Sequence, residues 1–166
     1  GDEKLSIRKS EIMELKTKVH AEEGKQELLI TRVFDLPIEL LFKAYTEAGL
    51  LEQWMGTKVQ KLENKAHGSY HFITTDPMGN KHGFNGTIHE FIPNYRITRT
   101  FEMENAAFGP QLEFLEFEST SDSTSRLSMH VVYRSVAIRD QILQMPFKQG
   151  INMAHNRLQE IMQSSK

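Results

Sequence analysis

The sequence contains no cysteine. That excludes a disulfide framework, a thiol nucleophile and any zinc site built on cysteine. No apolar run approaches the ~20 residues that a membrane-spanning helix requires. The opening GDEKLSIRKS lacks the apolar centre of a secretory signal. A surplus of one charge is missing too. Lys plus Arg total 20 against 22 Asp plus Glu, a formal net charge of -2, and no basic stripe is present to follow a polyanion. The expectation is a soluble, cytoplasmic protein with no nucleic-acid partner. There is no internal repeat and no low-complexity tract. The 166 residues are enough for one sizeable core that buries roughly 70 % of the unfolded surface.

Several chemical signatures fail on inspection. HEFIP (89–93) begins like the zinc-protease HExxH, but the second histidine is absent and Pro93 forbids the helix that would bring two ligands together. The seven histidines show no ligand spacing on one helix, although His67, His71 and His82 share one hairpin region. GNKHGFNG (79–86) leads into a strand, so it is no phosphate loop at a helix N-terminus. Neither a metal nor a cofactor is expected.

What is present is a patterned α+β chain. ELLITRVF (27–34) is rich in β-branched and apolar residues and reads as a strand. Pro37 suits a helix's first turn. Leu40, Leu41, Ala44, Tyr45, Ala48, Leu51 and Trp54 then recur at helical steps, with Gly49 expected to divide two short helices and Gly56 to end the second. From about Val59 to Tyr133 the period falls to two, interrupted by turn residues in DPMGN, PNYR, Gly109–Pro110 and SDSTS. In LEFLEFE, Glu113 shares a face with Leu115 and Phe117. Near the C-terminus, Phe147, Ile151, Ala154, Leu158 and Ile161 form a stripe over four turns, preceded by a short helix near 136–143 and a bend at Pro146. The order predicts about six or seven antiparallel strands, two short helices after the first, and one long helix across the sheet. Residues 1–24 read as an extension, possible strand or loose, and 25–163 as one domain.

TRVFDLPIELLFKAYTEAGLLEQWMG (31–56) resembles the family named for the activator of the heat-shock-protein-90 ATPase, whose members read approximately T-R-x-F-D-A-P-x-x-x-V-F-x-A-[YW]-T-[DE]-x-x-x-L-x-x-W. Here Leu36 replaces the usual Ala. HGSY (67–70), GTIHEFIPNYRITRTFEME (86–104), TSRLSM, Arg139–Asp140 and MPFKQGINMAHNRLQEIM match further family motifs in the same order, from roughly residue 25 to 163. The family lies within the START-like, helix-grip superfamily, which includes polyketide cyclases and the birch pollen allergen.

The resemblance implies an apolar tunnel between the long helix and the concave sheet face, entered near the short helices. Candidate lining residues are Trp54, Tyr70, Phe72, Ile88, Phe101, Leu115, Phe117, Met129, Val131 and Tyr133, faced by Phe147, Ile151 and His155. A fully packed core would give the same pattern. His155 sits at the edge of the buried stripe, either as a core histidine bonded to a carbonyl or sheet side chain or as a ligand-facing group. His89 and Glu90 are adjacent on a strand, so only one is expected to face inward, and an inward His89 would serve as base or anchor. Three functions follow in order. The first is binding of a hydrophobic or amphipathic small molecule. The second is a cyclase- or hydrolase-type reaction using His155, His89 or Tyr133. The third is a stress-related co-chaperone role, although co-chaperones of the family carry a separate N-terminal domain that 166 residues do not accommodate. Monomer and homodimer both fit.

Overall fold

A computed structural model describes residues 15–166. Eight strands form one antiparallel sheet: β1 (Lys18–His20), β2 (Glu27–Phe34), β3 (Lys58–Leu62), β4 (Ser69–Thr75), β5 (Lys81–Ile92), β6 (Arg96–Met103), β7 (Gln111–Ser119) and β8 (Ser125–Val132), in the order β1-β2-β8-β7-β6-β5-β4-β3. Among the described residues the helices are α1 (Ile38–Thr46), α2 (Ala48–Met55), α3 (Val136–Gln144) and α4 (Phe147–Gln163). The curved sheet gripping α4 is the helix-grip fold. Its strand count exceeds the expected six or seven because both edges carry short, mostly polar strands. β1 lies inside the expected extension and pairs Lys18–His20 with Leu29–Thr31. The apolar positions Leu5, Ile12 and Met13 lie outside the described residues.

The helices begin and end where backbone chemistry places them. Pro37 caps α1 with an extended backbone, and Gly56 ends α2 at φ 65°, a left-handed conformation that costs glycine nothing. The break between α1 and α2 falls at Glu47, which is extended, and not at Gly49, which lies inside α2. Glu47 still donates its N–H to the Lys43 carbonyl and accepts from Leu51, so it closes the last turn of α1 and opens the first of α2. The second bend, at Met145–Pro146, separates α3 from α4.

Along the inner sheet face, β8 buries Ser125, Leu127, Met129 and Val131, and β2 buries Leu28, Ile30, Arg32 and Phe34. Burial is uneven under α4. Phe147, Ile151 and Ala154 are half-buried, whereas Leu158 and Met162 near its end are sealed against the core. The first half of the helix therefore bridges a space, and the second half packs. α3 is fastened by Arg139, 3 % exposed, whose Nη1 donates to the carbonyl of Glu22 at 2.6 Å while Nη2 meets Asp140 at 2.7 Å. Replacing Arg139→Met strips a buried anchor of the β1–β2 loop. We expect a loss of about 2 kcal/mol, a drop of roughly 5 °C in the thermal midpoint by circular dichroism.

Candidate functional site

The bridged space under α4 is a cavity of about 230 Å³. Its floor is the inner sheet face: Ile30 from β2, Arg99 and Phe101 from β6, Gln111 and Glu113 from β7, and Met129 and Val131 from β8, with Tyr133 just beyond. Its roof is Phe147, Ile151, Ala154 and His155 of α4, and its end wall is Tyr45 of α1 with Leu51, Trp54 and Met55 of α2. A second cavity of about 260 Å³ shares Phe101, Gln111, Tyr133 and Phe147 with the first. It continues towards Phe84, Met103, Phe108 and the α3–α4 bend at Ile142, Met145 and Pro146. α2 therefore stands at one end of the space and the α3–α4 bend at the other.

Eight of the fourteen candidates named from the sequence line the first cavity: Trp54, Phe101, Met129, Val131, Tyr133, Phe147, Ile151 and His155. The other six do not. Phe117 is packed between Phe42 and Tyr45, with ring centroids 5.0 and 5.7 Å away, and Leu115 is fully buried beside it on β7. Tyr70, Phe72 and Ile88 are about 2 % exposed on β4 and β5, in the packed wing of the sheet. His89 is exposed and stacks its edge on His67. The pairing of β5 with β6 slips between Ile88 and Glu90, a bulge that breaks the expected one-in, one-out parity. Neither His89 nor Glu90 reaches the cavity, and Glu90 instead accepts from Thr98 at 3.0 Å.

His155 forms part of the wall and is held at both ring nitrogens. Its Nε2 lies 2.7 Å from the Tyr45 hydroxyl and its Nδ1 2.7 Å from Thr17 Oγ1, so both ring nitrogens are engaged. Phe34 meets the ring edge-on at 5.4 Å. Burial, reinforced by the positive charge of Arg32, lowers its pKa to about 3, so the ring is neutral at pH 7. Arg32 is itself lowered to about 10 by burial, with Tyr45 opposing the shift, and its Nη1 donates to Asn156 at 2.9 Å. Trp54 is 4 % exposed, and its indole N–H donates to the Ala44 carbonyl at 2.8 Å. It is a fixed wall, with its ring 5.0 Å from that of Tyr45.

The sequence matches the family described as "Activator of Hsp90 ATPase homolog 1-like protein" over residues 35–163. The chain belongs to this family. Solved structures similar to this family member include a Rhodobacter sphaeroides protein, TM-score 0.81 at 20% identity, covering 90% of this chain and 99% of that one. A Mycobacterium smegmatis protein gives 0.79 at 20% identity over 88% and 96% of the two chains. A Chromobacterium violaceum protein gives 0.71 at 22% identity over 82% and 96%. These likenesses establish the fold. No functionally curated protein matches the sequence.

What sequence reading missed in this family member is polar. Arg99 and Glu113 stand directly opposite each other on β6 and β7, and Arg99 Nε donates to Glu113 Oε1 at 2.9 Å. Gln111 Nε2 donates to Glu113 Oε2 at 2.8 Å, so both carboxylate oxygens are engaged. Glu113 is 4 % exposed. Desolvation works against the Arg99 charge but is outweighed by Tyr70 and Glu113, which hold its pKa above the ordinary value. The guanidinium lies over the Tyr70 ring, 5.3 Å from its centroid. Gly86 makes room for that ring, because a Cβ there would collide with Tyr70 and with the Thr100 carbonyl. One signal was legible: a glutamate on the apolar face of LEFLEFE, on the same face as Leu115 and Phe117, which proved buried.

Proposed function

We propose that this protein binds an apolar or amphipathic small molecule in the cavity between α4 and the sheet. The observation that carries this reading is the space itself, about 230 Å³ walled mainly by apolar and aromatic side chains, beside a second of about 260 Å³ that shares Phe101, Gln111, Tyr133 and Phe147 with it. Well-packed cores hold few voids larger than a water molecule, whereas binding sites are concave, mostly apolar and carry a few placed polar groups. The half-buried first turns of α4 fit the same reading. His155 supports binding over proton transfer, because both ring nitrogens are occupied and burial keeps it neutral. A chaperone partner rests on the family description alone.

Ala154 lies on the roof of the cavity, and Ala154→Phe would fill part of the space. The neutral fluorophore N-phenyl-1-naphthylamine is expected to bind the wild-type protein saturably, and the variant at least tenfold more weakly with its thermal midpoint kept. Native mass spectrometry of protein from its own host should show a retained apolar mass that the variant lacks. Absence of saturable binding, or binding indifferent to Ala154→Phe in a folded variant, would overturn the proposal.

A further inference from the structure

The walls of the cavity are apolar, but one part of its floor is not. Arg99 spends only Nε on Glu113, and among the described residues Nη1 and Nη2 have no acceptor. The Arg99 side chain is 13% exposed and borders the cavity. Tyr133 is 3 % exposed, borders both cavities, and its hydroxyl likewise has no partner among the described residues. The Arg99 Nη groups and the Tyr133 hydroxyl are not sealed in the core, so each is a donor that an occupant of the cavity can meet. Tyr45, the other phenol on the wall, is already engaged with His155.

We infer that the cavity selects an apolar molecule carrying a neutral carbonyl oxygen, such as a ketone or quinone, which accepts from the Arg99 Nη donors or from the Tyr133 hydroxyl. The inference rests on the cavity reading above and names the chemistry of its occupant. Charge decides between a carbonyl and a carboxylate. Arg99 and Glu113 already neutralise each other at 2.9 Å. A ligand carboxylate would match the fork with two oxygens, but it would leave one uncompensated negative charge in an apolar cavity beside Glu113. That desolvation and repulsion outweigh one additional hydrogen bond. Arg32, the other buried cation near His155, does not line the cavity, and its Nη1 is held by Asn156 and, more weakly, by Asn152. A neutral carbonyl satisfies either donor and adds no net charge.

Three compounds of nearly equal shape test this by displacement of N-phenyl-1-naphthylamine: 2-acetylnaphthalene with a carbonyl, 2-isopropylnaphthalene without an acceptor, and 2-naphthoate with a charge. The ketone is expected to bind wild-type protein about tenfold or more tightly than the hydrocarbon, about 1.4 kcal/mol, and more tightly than the carboxylate. Where Tyr133 is the donor, Tyr133→Phe should bring the ketone-to-hydrocarbon ratio close to one. Where Arg99 is the donor, the double variant Arg99→Met with Glu113→Leu, which leaves no buried charge unpaired, should do so instead, and a ratio unchanged in both would overturn the inference. Should ketone and hydrocarbon bind wild-type protein equally, or the carboxylate bind best, the head-group inference fails while the cavity reading stands. Should none of the three bind and the fluorophore also fail, the cavity reading itself is lost. The comparison in wild-type protein does not depend on any variant folding.

Discussion

Glu113→Leu is expected to destabilise the protein by about 3 kcal/mol in urea unfolding at pH 7, while Arg99→Met with Glu113→Leu is expected to recover most of that loss. The single variant leaves the Arg99 guanidinium without its one anionic partner among the described residues, in a site where its side chain is 13% exposed. Removing one member of a buried pair exposes the full desolvation cost of the other, whereas replacing both by apolar side chains of similar volume is often neutral. Gln111 adds to the single variant's cost, because its amide loses the acceptor at 2.8 Å. The two residues are in direct contact, so their effects should be strongly non-additive, and the coupling energy from the double-mutant cycle is the quantity to read. Additive losses would mean that the pair is exposed to water in solution and that the polar floor is not buried as described.

Most of the fold was legible, and the reasons are local. Pro37 set the corner of α1, the period-two alternation marked β4 to β8, and the stripe from Phe147 to Ile161 marked α4. The edge strands were harder, since KVQKL in β3 buries no residue fully and β1 is only three residues long. The cavity was partly legible for a different reason. Periodicity tells which face a residue occupies but not whether the space in front of it is filled, so Phe117 and Val131 look alike in sequence although only Val131 borders the cavity. Arg99 and Glu113 were missed as a pair because they are neighbours only through the β6–β7 register, set across a turn in which Asn105 and Gly109 take positive φ. His89 and Glu90 could not be told apart from sequence, and His89 lies outside because it follows the inward-facing Ile88 on β5.

His155 gives the second large effect, through pH. An unfolded histidine takes up a proton near pH 6.5, whereas the buried His155 resists it until about 3, because desolvation and the Arg32 charge penalise the imidazolium. Between those values the unfolded chain binds more protons than the native one, so this group's contribution to stability is whole above pH 6.5 and is lost as the pH falls. The limiting slope is about 1.4 kcal/mol per pH unit, and from pH 6.5 to 4.5 the loss should reach roughly 2 kcal/mol. The carboxylates of Glu63, Asp76 and Glu104 are held below their ordinary values by hydrogen bonds, and they cancel in a comparison with a variant that leaves them in place. His155→Leu removes the titration and leaves the Tyr45 hydroxyl, sealed in the core, without its 2.7 Å partner. That variant should be about 1–3 kcal/mol less stable at pH 7, and the gap to wild type should narrow as the pH falls. Equilibrium unfolding of both proteins at pH 7.5, 6.0 and 4.5 measures the gap, in which the other histidines cancel. A gap that stays constant with pH would mean that His155 takes up its proton in the native state as readily as in the unfolded chain, and the desolvation ascribed to it would be wrong.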